Sequence, residues 1–270
     1  MKEAALKEKL ADFSGEILCL DETDSTNQRA AELALQGKES VVVASKQTAG
    51  QGRLGRNFAS DEGGVYLSVG ICLNSIFPEN EVPDLNRTLH FPLIAALAAS
   101  DAISEVCDEK FETTVIPDIK WPNDLQINGK KISGILCKAA QNHGKWFIIV
   151  GIGINVFNSL PADLKDAGTL MDALKDVNID EADKDEFLAV LAAAVAADIL
   201  KYLKKGIKDG GRMLDEVEQR CVTIGKKVEV PERNIKGTAI QIGDDGALCI
   251  ETGDGEYEVV KSGDVIYYKD

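Results

Sequence analysis

The pattern of hydrophobic and polar positions predicts a sheet of several strands in the first part of the chain. Short apolar runs at 16–20 (EILCL), 40–49 (SVVVASKQTA) and 64–73 (GVYLSVGICL) have the length and composition of buried strands. Residues 114–156 contain three more strand-like runs, separated by the turn sequences NGKK and NHGK. This order of strands and turns predicts an antiparallel meander.

Three other segments have helical periodicity. The segment 21–37 predicts a capped helix in which Ser25 or Thr26 is the N-cap. Apolar side chains recur at steps of three and four in 88–106 and in 183–205, as in helices that bury one face. The fold class that these patterns predict is α+β, with a mostly antiparallel sheet and helices on one side.

The texture of the sequence changes near Cys221. The residues that follow contain short strands with DDG and TGDG turns and no helix signal. A segment of about 50 residues would be marginally stable alone, so we expect a small β-barrel packed on the main domain. The predicted domains are therefore 1–220 and 221–270.

Composition and charge exclude several classes of function. The 270 residues include 30 Lys and Arg against 45 Asp and Glu, a net charge of −15. Such an acidic protein is a poor general binder of nucleic acid or of anionic lipid. The N-terminus lacks the apolar core of a signal peptide, and the six cysteines are scattered without metal-ligand spacing. We therefore expect a cytoplasmic protein with reduced thiols, no bound metal, no nucleic acid and no membrane contact.

The segment QTAGQGRLGR (47–56) is the most unusual in the chain. Its glycines match the GxGxxG dinucleotide fingerprint, but no helix signal follows, as a Rossmann fold would require. Glycines let the backbone approach a ligand closely, and Arg53 and Arg56 would then face an anion. The alternative interpretation is a solvated surface loop.

Three further segments carry candidate chemistry. KWPND (120–124) places Asn and Asp at a strand end, where they could hold a ribose, a metal or a polar ligand edge, or simply form a turn. In NGKKISG (128–134), alternation puts Lys130 and Lys131 on opposite faces, so one can point into a cleft. GIGIN (151–155) combines glycines for close approach with an amide side chain. Cations gathered around glycines in an acidic protein predict a small polyanionic ligand, such as a nucleotide with a carboxylate substrate.

Six strings in this order resemble the biotin–protein ligase (biotin–[acetyl-CoA-carboxylase] ligase) family. They are DSTNQ (24–28), QTAGQGRLGR (47–56), GGVYLSV (63–69), KWPNDL (120–125), GKKISGIL (129–136) and VGIGINV (150–156). The resemblance implies a catalytic domain like that of class II aminoacyl-tRNA synthetases, followed by a small SH3-like β-domain. Since only about 15 residues precede the first predicted strand, we expect the monofunctional type without a DNA-binding head.

The resemblance also implies a two-step reaction. ATP, with Mg²⁺, activates biotin as biotinyl-5′-AMP, and a lysine of a biotin carboxyl carrier domain of a carboxylase then takes the biotinyl group. Two alternatives stay open from the sequence: a lipoate–protein ligase, and a non-catalytic sensor of biotin or its adenylate. Exposed strand edges would allow a homodimer.

Residue roles are carried over from the same resemblance. The implied catalytic residues are Lys131, Asp124, Arg53 and Lys120. Biotin contacts are implied for Ser25, Thr26, Asn27, Gln47, Gly50, Arg53, Lys131 and Gly134. Nucleotide contacts are implied for Arg53, Arg56, Phe58, Asn123, Lys131 and Asn155.

The chain departs from the family pattern at three positions in the glycine-rich loop. Gln51 and Leu54 stand where many relatives carry a basic residue, which lowers the charge of the loop. Phe58 stands where some relatives have Trp. These departures bear on how tightly the loop would retain an adenylate.

Overall fold

The computed structural model of the chain describes residues 3–77, 90–175, 177–209 and 212–268. The helices are α1 (Glu3–Lys9), α2 (Thr26–Leu35), α3 (His90–Phe111), α4 (Leu170–Ala173), α5 (Glu181–Asp209) and α6 (Arg212–Gln219). The first seven strands are β1 (Glu16–Thr23), β2 (Ser40–Gln47), β3 (Val65–Cys72), β4 (Asp118–Lys120), β5 (Asp124–Ile127), β6 (Lys130–Asn142) and β7 (Lys145–Ile154). The last five are β8 (Lys227–Val230), β9 (Ile235–Ile242), β10 (Leu248–Thr252), β11 (Tyr257–Val260) and β12 (Ile266–Tyr267).

Seven strands form one sheet in the order β1-β2-β3-β7-β6-β5-β4. The pair β1–β2 is parallel and the other neighbouring pairs are antiparallel. Strands β4 to β7 are consecutive in both sequence and space, so the predicted antiparallel meander is confirmed. The run before NGKK, predicted as one strand, forms two short strands, β4 and β5. The two helices predicted over 88–106 and 183–205 are α3 and α5, although residues 88 and 89 lie outside the described residues.

The helices lie on both faces of this sheet. Alternation along β7 places Ile148 and Val150 in the larger core with α3 and α5, whereas Phe147 and Ile149 point to the opposite face. There they pack with Ala30 and its neighbours on α2. The prediction that the helices lie on one side therefore holds for α3 and α5. Helix α2 lies on the opposite face, because its apolar stripe covers the second face of the sheet.

Helix α3 is the central helix of the larger core. Among the described residues, α3 is the one helix that is both long enough and apolar enough to cross a membrane, but 72% of its apolar segment is buried inside the protein. It packs on α5 and on the sheet, so its apolar composition is that of a core helix.

The C-terminal residues form a separate five-stranded antiparallel sheet, in the order β11-β10-β9-β8-β12. This confirms the small all-β domain predicted after Cys221. The domain is attached beside β4, because Ile119 donates to the carbonyl of Arg220 at 3.0 Å and accepts from Val222 at 2.9 Å. In addition, Trp121 Nε1 donates to the carbonyl of Gly246 at 3.0 Å. The C-terminal domain is thereby placed next to the KWPND segment.

Candidate active site

Two adjoining pockets lie at one end of the main sheet. The inner pocket lies between the start of α2 and the glycine-containing parts of β6 and β7; its lining includes Ser25, Thr26, Asn27, Gln47, Gly134, Gly151 and Gly153. The outer cleft is larger and opens between the KWPND segment, the loop after β7 and β12; its lining includes Arg53, Arg56, Lys120, Asp124, Asn155 and Tyr267. Asn123, Lys131 and Phe58 line both pockets and so mark their junction.

A buried hydrogen-bond network holds the polar floor of the inner pocket. Gln47 Oε1 accepts from both Thr26 N, at 2.8 Å, and Thr26 Oγ1, at 3.1 Å. Ser68 Oγ lies 2.8 Å from Thr26 Oγ1 and 3.1 Å from Asn27 Oδ1. The side-chain amide of Asn27 also donates to the carbonyl of Leu136. Because these side chains are fixed by one another, the polar groups that face the pocket are preorganised.

The start of α2 is stabilised by Asp24. Ser25 occupies the N-cap position of α2, but its side chain makes no capping hydrogen bond to this helix. The Asp24 carboxylate instead accepts from Ser25 N at 2.7 Å and from the Arg29 guanidinium at 2.8 and 3.2 Å. These bonds lower the pKa of Asp24 below its usual range.

Two glycines of β7 make room for side chains that reach into the inner pocket. A Cβ at Gly151 would lie 2.4 Å from Asn27 Oδ1, and one at Gly153 would lie 2.4 Å from Phe58 Cε1. The Phe58 ring also lies 3.3 Å from the Cβ position at Gly134. In this structure the phenyl ring therefore rests directly on the glycine surface of β6 and β7.

A β-bulge aims Lys131 into the junction. Residue pairs Leu125–Ser133 and Gln126–Lys131 leave Ile132 as an extra residue on β6. In a regular strand, Lys131 and Gly134 would face opposite sides, but the extra residue brings Lys131 onto the face of Gly134 and Asp124. The Lys131 ammonium then lies 2.7 Å from Asp124 Oδ1. As predicted, Lys130 points the other way and is exposed.

The loop between β2 and β3 crosses the site and is fixed on both sides. Arg53 Nη1 donates to Asn123 Oδ1 at 3.2 Å, and both terminal nitrogens lie 3.4 Å from the carbonyl of Gly263 in the C-terminal domain. Arg56 forms an ion pair of 2.7 Å with Asp264. On the opposite side, Lys138 Nζ donates to Gln51 Oε1 at 2.6 Å.

Arg53 is a cation without a contacting carboxylate among the described residues. Burial lowers the pKa of its guanidinium, whereas Asp264 and Asp124 raise it from a distance. Its hydrogen-bond acceptors are a carbonyl and an amide, which leave the positive charge uncompensated by direct contact. Such a group favours an incoming anion.

Two implied site residues are placed differently from the others. Gly50 lines neither pocket described above; its Cβ position lies 2.5 Å from the carbonyl oxygen of Phe58 and from Ser60 Oγ, so the glycine allows the loop to close on itself. Asn155 lines the outer cleft, but its amide donates to the carbonyl of Gly168 and its oxygen accepts from Asn158. These two bonds fix the orientation of the Asn155 amide and leave one N–H and one lone pair for a ligand edge.

The other implied residues come together, and the structure adds several that the sequence analysis missed. The additions are Ser68, Gln51 as a loop anchor, Lys138, Asp264 and Tyr267. The sequence signal for Ser68 was a lone hydroxyl in an apolar strand. The residues near the C-terminus had no local signal, because only the packing of the two sheets brings them to the cleft.

The fold and site define a class: a mixed-sheet domain in which a narrow pocket, lined mainly by uncharged residues, opens into a wider cleft lined by both cations and carboxylates. Comparison with known proteins gives the family. Residues 19–155 match the family model "Biotin/lipoate A/B protein ligase family", and residues 223–268 match "Biotin protein ligase C terminal domain". The chain therefore belongs to the biotin/lipoate A/B protein ligase family and is a ligase.

Individual relatives agree with this assignment. The chain is 34% identical to the bifunctional ligase/repressor BirA of Bacillus subtilis, over 87% of this chain and 69% of that protein. It is 29% identical to the biotin–[acetyl-CoA-carboxylase] ligase of Mycobacterium tuberculosis, over 92% of this chain and 87% of that one. Among solved structures, the biotin protein ligase from Aquifex aeolicus in complex with biotin and ATP is similar with a TM-score of 0.67 and 28% identity, covering 94% of this chain and 99% of the other.

Proposed function

We propose that the chain is an ATP-dependent biotin–protein ligase, which makes biotinyl-5′-AMP and transfers biotin to a lysine of a biotin carboxyl carrier domain. The observation that carries the proposal is the position of Lys131, at the junction of the inner pocket and the cationic outer cleft. A reaction between a carboxylate and an α-phosphate needs a cation at the point where the two anions meet.

The inner pocket suits the biotin half of the reaction. Among its described lining residues Lys131 is the one that carries a charge, and the rest are polar or apolar and uncharged. Thr26, Asn27 and Gln47 offer neutral donors and acceptors to the ureido ring. A carboxylate on a chain that extends from this ring would reach the junction.

The outer cleft suits the nucleotide half. Arg53, Arg56 and Lys120 supply positive charge for the phosphates, and Phe58 and Asn123 border the same space. Among the described residues no group of three or more His, Cys, Asp or Glu could hold a metal ion. Mg²⁺ would therefore enter as MgATP, held mainly by phosphate oxygens, with Asp163 and Asp166 available at the rim.

The geometry supports a specific sequence of events at the junction. The carboxylate of biotin attacks the α-phosphate, pyrophosphate leaves, and Lys131 neutralises the charge that accumulates between them. When Lys131 turns to the ligand, its ion pair with Asp124 is broken. The freed Asp124 carboxylate can then orient the carrier lysine, and take a proton from it, as the amine attacks the mixed anhydride and AMP leaves.

We propose further that the catalytic domain spans 1–220 and the β-domain spans 221–270. The enzyme acts in the cytoplasm. It can pair with a second copy through an exposed sheet edge.

The proposal is tested by following both steps separately. The purified chain is incubated with labelled biotin and MgATP, and labelled adenylate is measured in the absence of carrier. An apo carrier domain is then added, and label should move to the carrier with loss of adenylate. The proposal would be refuted if neither labelled adenylate nor labelled carrier were formed.

Lipoate is the competing substrate, because the matched family includes lipoate ligases. The match of residues 223–268 to the biotin protein ligase C-terminal domain favours biotin. Biotin, and not lipoate, should raise the thermal unfolding temperature of the chain. Stabilisation by lipoate alone would assign the other substrate.

A further inference from the structure

The C-terminal domain reaches the outer cleft at β12. The ammonium of Lys120 lies 5.0 Å from the centre of the Tyr267 ring, and both side chains line the cleft beside Asp124. A cation over an aromatic face is stabilised by the quadrupole of the ring. The Asp124 carboxylate in the same cleft is paired with Lys131, and among the described residues Lys120 forms no ion pair, so the Tyr267 ring is a contact of its ammonium that involves no carboxylate.

The ring is fixed relative to the strand that carries Lys120. Tyr267 Oη lies 2.9 Å from Thr223 Oγ1, and the same threonine oxygen accepts from the backbone N–H of Trp121 at 3.1 Å. Thr223 is fully buried. A single hydroxyl therefore connects the Tyr267 side chain to the residue immediately after Lys120.

The protonation state of Tyr267 is compatible with its contacts to Lys120 and Thr223. Burial raises the pKa of Tyr267 to about 12, so its hydroxyl is protonated over the working range of pH. The ring then presents a neutral π face to the lysine, and the hydroxyl remains available to Thr223. The Lys120 ammonium is therefore held by a contact that does not neutralise its positive charge.

We propose that Tyr267, which the C-terminal domain supplies, is a positioning residue for Lys120. The inference rests on the proposed function. Lys120 and Tyr267 line the outer cleft and are absent from the described lining of the inner pocket. Loss of the ring should therefore slow the reaction without changing the KM for biotin.

The test compares Tyr267→Leu, Tyr267→Phe and a control, Tyr257→Leu, which changes an exposed tyrosine on β11. Overall transfer to the carrier is measured at saturating MgATP. Tyr267→Leu should lower kcat about two- to fivefold, as expected for loss of a cation–π contact to a tyrosine that is 37% exposed. The KM for biotin should stay within about twofold of the parent, since the inner pocket is untouched. Tyr267→Phe should recover most of the rate, and Tyr257→Leu should match the parent.

A second pair of variants keeps the test independent of folding in the C-terminal sheet. Lys120→Met removes the same contact from the catalytic domain, and adding Tyr267→Leu to it should cause no further loss. Equal kcat for Tyr267→Leu and the parent, equal losses for the Leu and Phe variants, or additive losses in the double variant would each overturn the inference. An inactive parent would refute the proposed function itself, and with it the inference.

Discussion

The Lys131 ammonium lies 2.7 Å from the Asp124 carboxylate, across adjacent strands at the junction of the two pockets. The pair exists because of the bulge at Ile132, which turns Lys131 to the same face as Asp124. Each residue masks the charge of the other in this structure. In the proposed function, the ligand carboxylate and phosphate compete with Asp124 for the Lys131 ammonium.

The first prediction concerns Lys131. Lys131→Ala should lower the rate of adenylate formation by about 10²–10³-fold, the usual effect of removing a preorganised charge from a reacting centre. Lys130→Ala is the matched control, since its side chain is exposed and directed away from the pocket. Pyrophosphate release without carrier is the measurement. If the Lys131→Ala variant formed adenylate at the rate of the parent, Lys131 would have no role in the first step.

The second prediction concerns retention of the intermediate. Arg53 lies in the loop over the site and lacks a contacting carboxylate among the described residues, so Arg53→Ala should release the adenylate about tenfold faster or more. Arg233→Ala removes an exposed arginine elsewhere and should have no effect. The measurement is the rate at which labelled adenylate dissociates from each variant and from the parent. Retention equal to that of the parent would show that the loop does not act through Arg53.

The third prediction uses the contact between Phe58 and Gly153. Gly153→Ala places a methyl group 2.4 Å from the ring, and should destabilise the fold by about 1–3 kcal/mol through overpacking. Adding Phe58→Ala should recover part of that loss. Gly253→Ala is the control, because a Cβ there meets open space. Urea unfolding gives the free energies, and a double variant as unstable as the sum of its parts would contradict the proposed clash.

The fourth prediction follows from the lowered pKa of Asp24. A carboxyl whose pKa is lower in the folded state stabilises that state above its unfolded value of about 3.9, and the stabilisation is lost as pH falls through the folded value. Asp24→Asn should therefore lower the unfolding temperature at neutral pH. The difference from the parent should shrink below about pH 4. A difference that stays constant down to acid pH would show that Asp24 acts through packing alone.

Much of the fold follows from local patterns in the sequence. The meander is predictable because NG and HG turns separate its strands, and the opposite directions of Lys130 and Lys131 follow from strand alternation. The face occupied by α2 was not predictable, because both faces of the central strands are apolar. In such a sheet, hydrophobicity does not tell which side a helix covers.

Most residues singled out from the sequence line one of the two pockets, but their geometry was not predictable. A bulge depends on the register between β5 and β6. The local sequence around Ile132 therefore does not predict the contact between Lys131 and Asp124. Tyr267 lies more than 100 residues from Lys120, and Asp264 lies more than 100 residues from Arg56, the residues that they contact. Such contacts arise from the packing of two sheets, which local patterns do not encode.

The central claim is that the junction at Lys131 joins biotin to a carrier lysine through ATP. The most direct measurement is the intact mass of an apo carrier domain after incubation with the chain, MgATP and equal concentrations of biotin and lipoate. We predict one added biotinyl group per carrier, absent when ATP is omitted and absent with Lys131→Ala. An unmodified carrier, or a carrier that gains only a lipoyl group, would contradict the account.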